Sequence, residues 1–206
     1  MKQRRQRGFT LVEVLVAVSI FSALIVTIYA SFISGMSARE KGETIVTLAE
    51  TAQEVIRRLS LELACSIAYS SGSFSGKSEQ VTFVTLRAPA EGGAPRICRV
   101  IYYTCDESGT GLSSLRHACQ PLGGEYLEGD LSGPCLRCME LSYAFREQGV
   151  GEVEWSDCWI GTHDKPLPLA VRVSLVLESG DETMKVDKVI PVPVSAGVEG
   201  RVASSM

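Results

Sequence analysis

The sequence predicts an α+β fold, one long N-terminal α-helix packed on antiparallel β-sheet, and three observations predict it. No proline occurs between Met1 and Ala88, so nothing in that length forces a helix to break. Within it, an apolar run over residues 9–33 is followed by apolar residues at every third or fourth position from Ile45 to Tyr69. Beyond Gly72 the period drops to two, in short runs separated by Gly, Pro and charged residues.

The apolar run comes first. From Phe9 to Ile33 the one side chain charged at neutral pH is Glu13, and the run is long enough to cross a bilayer core of roughly 30 Å as a helix. Lys2, Arg4, Arg5 and Arg7 crowd its N-terminal side, and the positive-inside bias keeps that end cytoplasmic and sends the chain beyond residue 35 outward. A secretory signal peptide has the same basic start, but its apolar core spans only about 7–15 residues, and Tyr29-Ala30-Ser31 is a weak cleavage site. A plain anchor explains the length and leaves Glu13 unexplained. A carboxylate within the bilayer costs at least a few kcal/mol, so Glu13 points to a function, with a positive charge from another chain as its partner.

Residues 34–43 turn polar, and the amphipathic stretch follows. Ile45, Leu48, Ala49, Ala52, Val55, Ile56, Leu59, Leu63 and Ile67 line one face, while Glu43, Glu50, Glu54, Arg57, Arg58 and Glu62 fall on the other. Such a stripe is core packing against a sheet. The two parts form one helix of about 60 residues, roughly 90 Å long, with Gly35 and Gly42 as its expected bends and Ser70-Ser71-Gly72-Ser73 as its end.

The strands are expected at 80–86, 97–104, 112–118, 140–146, 169–177 and 183–192. In the fifth, Leu169, Val171, Val173, Leu175 and Leu177 alternate with Ala170, Arg172, Ser174 and Val176, so one face is buried and the other is mixed.

Arg7-Gly8-Phe9-Thr10-Leu11-Val12-Glu13-Val14-Leu15-Val16-Ala17 resembles the processing site of type IV prepilins and type II secretion pseudopilins. The resemblance implies that a membrane-bound prepilin peptidase cuts between Gly8 and Phe9 and methylates the new amino terminus of Phe9. The physics of each position agrees. Gly8 has no Cβ, so a protease pocket can close on the backbone. Cutting there removes the four leader charges and frees one ammonium, which Glu13 of a neighbouring subunit can neutralise. The chain then divides into a leader (1–8), a transmembrane helix (9–33), its amphipathic continuation (34–71) and a periplasmic β-rich globular domain (72–206), the arrangement of a pilin-like fold.

The later segments Arg99-Val100-Ile101-Tyr102-Tyr103, Leu141-Ser142-Tyr143-Ala144-Phe145, Trp155-Ser156-Asp157-Cys158-Trp159 and Pro166-Leu167-Pro168-Leu169-Ala170-Val171-Arg172-Val173 look most like the J-type minor pseudopilins of type II secretion, the GspJ family. That subtype implies an inner-membrane subunit that joins I-type and K-type minor pseudopilins, with H-type subunits and the major pseudopilin as further neighbours, at the tip of a periplasmic pseudopilus. A minor pilin of a type IV pilus and a membrane-anchored binding module, with its ligand loops at 88–95 or 122–134, are the alternatives. Pilins often carry a proline in the helix, and this chain departs from that pattern.

Composition excludes other classes. Four of the 20 Lys and Arg lie in the leader, leaving 16 against 24 Asp and Glu, so the outer part is acidic and offers no basic patch for nucleic acid. No nucleophile-base-acid arrangement and no phosphate-cradling loop stands out, so the chain is read as a substrate of an enzyme, not an enzyme, with no cofactor and no metal. Cys65, Cys98, Cys105, Cys119, Cys135, Cys138 and Cys158 all follow the span, on the oxidising side, which makes them candidate disulfide cysteines with an odd one left over. The sequence does not choose their connectivity.

Cys135-Leu136-Arg137-Cys138 lacks the second pair that a zinc site wants and the strand-to-helix context of a redox motif. Asp106, Glu107, Asp130, Asp157, Asp164, Asp181 and Glu182 lie in expected turns where calcium binds in related proteins, without a twelve-residue calcium loop. Trp155 and Trp159 are read as a loop patch that either contacts a partner or covers a core edge.

Overall fold

The computed structural model describes residues 10–68, 73–88, 94–106, 109, 111–124, 127–133, 135–146, 152–163 and 166–193. Among the described residues one helix, α1 (Leu11–Ala64), precedes ten strands: β1 (Phe74–Lys77), β2 (Gln80–Arg87), β3 (Arg96–Asp106), β4 (Ser113–Pro121), β5 (Leu127–Asp130), β6 (Leu136–Phe145), β7 (Glu154–Ser156), β8 (Trp159–Ile160), β9 (Ala170–Ser179) and β10 (Glu182–Pro191). This is the long-helix, antiparallel-sheet arrangement of a pilin-like α+β protein. The chain divides after Thr44 into two compact units.

The first unit holds the apolar part of α1. Its side chains are exposed throughout, among them Leu11, Phe21, Ile28 and Phe32. Its length and composition suit a membrane crossing. Two of its hydroxyls are satisfied by the helix itself, with Ser19 donating to the Leu15 carbonyl at 2.8 Å and Thr27 to the Ala23 carbonyl at 2.6 Å. That removes donors that lipid cannot partner. The helix runs uninterrupted through Gly35 and Gly42.

The second unit packs the rest of α1 on the sheet. Leu48, Ala52, Val55, Leu59 and Leu63 are its buried residues, spaced four, three, four and four apart as one helical face requires. The expected stripe was wider: Ile45 is exposed and Ile56 only partly buried. The helix also stops at Ala64, short of the expected end at 71. Backbone pairing overrides local propensity there. Ser66 bridges Thr85, the Ile67 amide donates to the Val84 carbonyl at 2.9 Å, and the Leu86 amide donates to the Cys65 carbonyl at 3.1 Å. Residues 65–67 thus continue along β2 where β1, which pairs with residues 80–83, leaves off.

The sheet order is β10-β9-β6-β4-β3-β2-β1-β8, with β5 beside β4 and β7 beside β6, and every pair is antiparallel. β4 and β6 meet at the single register pair Ser113 and Leu136. The sheet also curls, so that β1 approaches β6 directly: the Leu141 amide donates to the Ser78 carbonyl at 2.8 Å, and the Tyr143 hydroxyl to the Lys77 carbonyl at 3.0 Å. On the helix-facing side, Phe74 of β1 stacks on Phe83 of β2, Phe83 on Tyr102 of β3, and Tyr102 meets His117 of β4 edge-on, at centroid distances of 5.8, 6.2 and 4.9 Å. These rings and the apolar stripe of α1 form one core.

Candidate functional site

Thr10 stands just before the first helical residue and caps it. Its carbonyl accepts from the Glu13 and Val14 amides at 3.1 and 3.3 Å, and its Oγ1 accepts from the Glu13 amide at 3.3 Å. Thr10-Leu11-Val12-Glu13 therefore has the sequence of a capping box, with Glu13 at its third position. The sequence signal was present as a threonine followed three residues later by a glutamate, and the reading of Glu13 as an assembly residue passed over it. Glu13 is exposed in the first turn, where a carboxylate also suits the positive end of the helix. Local helix chemistry thus supplies one reason for this residue, and its place in an exposed apolar surface supplies a second. Gly8 and Phe9 lie outside the described residues.

The second polar centre lies at the other end of α1. Glu62, placed by spacing on the solvent side, is nearly buried: its side chain is 12% exposed. Its Oε2 accepts from the Tyr102 hydroxyl at 2.6 Å and from His117 Nε2 at 3.1 Å. Arg58, one turn earlier, lies 3.7 Å from Glu62 and places Nη2 3.2 Å from His117 Nδ1. Arginine only donates, so Nδ1 accepts and Nε2 carries the proton that Glu62 receives. Thr85 adds a bond to the Glu62 carbonyl at 2.9 Å, and Arg87 approaches the carboxylate at 4.0 Å. Burial pulls the Glu62 pKa up, but the hydrogen bonds from His117 and Tyr102 and the basic groups beside it outweigh burial and hold it below its usual range. Burial and the Glu62 charge push the Tyr102 hydroxyl far up, so it stays a donor. Through these contacts the cluster ties the helix to β3 and β4.

The remaining candidates are scattered. No two of the seven cysteines are joined in this structure. Cys135 precedes β6 and donates to the Ser132 carbonyl, while Cys138 lies within β6 beyond a bulge, so the motif straddles the start of a strand. Burial pushes both thiols up, with Asp130 and Glu140 adding to it, and this opposes the thiolate that redox work needs. Asp130 accepts from the Ser132 and Gly133 amides, and Asp106 accepts from the Ser113 hydroxyl, so these two carboxylates serve their own turns. Glu107 and Asp164 lie outside the described residues, and among the described residues no group of three metal-ligating side chains comes together. Trp155 and Trp159 sit in β7 and β8, not in a loop. The Arg172 guanidinium lies 4.0 Å from the Trp155 ring centroid, and Trp159 packs on Phe145 at the edge of the core.

Residues 3–29 match the model of the prokaryotic N-terminal methylation motif. The match supports the superfamily of type IV pilin-like and pseudopilin proteins, which are structural subunits, and it implies processing by a prepilin peptidase and assembly with other pilin-like subunits. A single N-terminal apolar helix fits the membrane anchor of such a protein. No curated protein and no solved structure is matched by the chain.

Proposed function

We propose that the chain is a minor pseudopilin of a type II secretion system, an inner-membrane subunit that joins the tip of the periplasmic pseudopilus and assists the export of folded proteins. The observation that carries this reading is the methylation motif, set directly on a capped apolar helix whose first turn holds Glu13. The peptidase cuts between Gly8 and Phe9 and methylates Phe9. The freed ammonium then pairs with Glu13 of an adjacent subunit, which removes two isolated charges from lipid and sets the axial register. I-type and K-type minor pseudopilins are the expected first neighbours, with H-type subunits and the major pseudopilin beyond them. The N-terminus lies in the cytoplasm and the sheet domain in the periplasm. The work of extrusion comes from elsewhere in the machine, so the chain contributes shape and packing, not chemistry.

The test has two stages. Intact mass and N-terminal sequence are measured on the chain from hosts with and without a prepilin peptidase; a mature chain beginning at N-methylated Phe9 only where the peptidase is present is the expected result, and a chain that keeps Met1 in both hosts overturns the reading. Cross-linking in a host carrying both machines then separates secretion from pilus assembly. Capture of I-type and K-type pseudopilins supports the proposal, and capture of pilus minor pilins alone replaces it with the pilus reading.

A further inference from the structure

Of the seven cysteines, two face the same way on neighbouring strands. In the β3–β4 register Cys98 stands opposite Pro121 and Cys119 opposite Val100, so the two cysteines are diagonal neighbours on one face. Both are buried, at 4% and 2% exposure, and both belong to the core beneath α1. Elsewhere in the described register Cys105 faces Ser114 and Cys138 faces Val176, so no other cysteine stands opposite or diagonal to a second one. Cys65, Cys105 and Cys158 are exposed, and Cys135 and Cys138 are only partly buried. The pair lies at the open end of the β3–β4 hairpin, away from the connection that follows Asp106.

We propose that Cys98 and Cys119 form a disulfide across β3 and β4, made while the chain folds by a protein dithiol-disulfide oxidant. The pairing rests on the reading that the sheet domain lies outside the cytoplasm. One thiolate attacks the oxidant's disulfide to give a mixed disulfide, and the second displaces the oxidant's sulfur. The two thiols lose two protons and two electrons, and the oxidant leaves as its dithiol.

Timing follows from burial. In the folded domain, burial and the neighbouring Cys119 push the Cys98 thiol up to about 11, and neither sulfur is open to a second protein. The bond therefore forms before the helix closes over the sheet. Diagonal positions lie roughly 7–8 Å apart at Cα, so closing the bond brings these two Cα atoms about 1–2 Å closer by a local shift at this corner.

The full chain is extracted in detergent from membranes of a host with an oxidising periplasm, alkylated under denaturing, non-reducing conditions, digested and mapped by mass. The expected result is one linked peptide pair joining Cys98 to Cys119, two hydrogens lighter than the separate peptides, with Cys105 and Cys158 alkylated. Labelling of intact cells with a membrane-impermeant maleimide reports, in parallel, whether Cys105 and Cys158 face outward. Outward labelling together with alkylated Cys98 and Cys119 overturns the pairing and leaves the location intact. Where no outward labelling occurs, the location reading fails, and the pairing is decided by refolding the reduced full chain in detergent with a glutathione redox pair. A Cys98–Cys119 link there sustains the pairing, and random links or none overturn it. The bond also predicts a fall in thermal midpoint when the chain is refolded under reductant, kept by C105S and absent from the C98A/C119A double variant.

Discussion

Glu62 and His117, 55 positions apart in sequence, meet at 3.1 Å between the last turns of α1 and the middle of β4, and the same carboxylate oxygen takes the Tyr102 hydroxyl at 2.6 Å. One glutamate thus holds two strands to the helix. Replacing it by alanine leaves a phenol and an imidazole N–H buried without an acceptor, at about 1–3 kcal/mol for each group so stranded. Glu62→Ala is expected to cost the full chain about 2–4 kcal/mol in denaturant unfolding in mild detergent, followed by the fluorescence of Trp155 and Trp159. Glu54→Ala, which removes an exposed pair with Arg57, is expected to stay within about 0.5 kcal/mol. Equal effects from the two would show that the buried cluster adds nothing.

The same carboxyl sets an acid response. Its folded pKa lies below its unfolded value near about 4.3. Between the two values the unfolded chain binds the extra proton, so stability rises with pH there. The contribution is complete above the unfolded value and is lost as pH falls through the folded one. Between about pH 5 and pH 3, wild type is expected to lose more stability than Glu62→Gln, which has no proton to take up at this site. Parallel pH profiles for the two proteins would remove Glu62 as the cause.

These two residues also mark where sequence reading stopped. The six long strands were legible because each is a run of eight to eleven residues, β9 with plain alternation, and the helix stripe because its period is local. β1, β5, β7 and β8 span two to four residues, too short for a period, and β5 is exposed at every position. Glu62 was assigned to solvent because it lies at the margin of the apolar face. Its burial comes from Tyr102 and His117, which reach it from strands 40 and 55 residues away. At the N-terminus the reverse held: the motif around Gly8, Phe9 and Glu13 was plain in the sequence, while Gly8 and Phe9 have no described structure to add to it.

The curl of the sheet depends on a missing side chain. A Cβ at Gly76 would overlap the ring of Tyr143, which is fully buried and bonded to the Lys77 carbonyl. Gly76→Ala is expected to destabilise the domain by about 1–3 kcal/mol or more, as overpacking does. Tyr143→Leu should relieve part of that cost, so the double variant is expected to be more stable than the sum of the singles predicts. Strict additivity in the unfolding energies would mean that the two residues do not compete for the same space.

Two leucines a half-turn apart test which face of α1 carries the domain. Leu59 is 2% exposed and Leu61 58%. Leu59→Ala is expected to cost about 2–5 kcal/mol and Leu61→Ala close to nothing in the same unfolding assay. If Leu61→Ala leaves unfolding unchanged yet reduces cross-linking to neighbouring subunits, the exposed side of the helix belongs to the assembly.

Glu13 has two explanations, and substitution can separate them because they need different atoms. The cap needs the Thr10 hydroxyl to receive the Glu13 amide, and a glutamine at position 13 suits a capping box as well as a glutamate. Pairing with a neighbour's amino terminus needs the negative charge and is indifferent to the hydroxyl. Glu13→Gln therefore keeps the cap and removes the charge, while Thr10→Val keeps the charge and removes the cap at a cost of about 1 kcal/mol in helix stability. If charge pairing drives assembly, Glu13→Gln is expected to lose co-purification with partner pseudopilins at normal levels of processed chain, and Thr10→Val to retain it. The opposite ranking would assign Glu13 to the helix terminus alone, and the axial register of the filament would then have to come from the packing of the apolar helices.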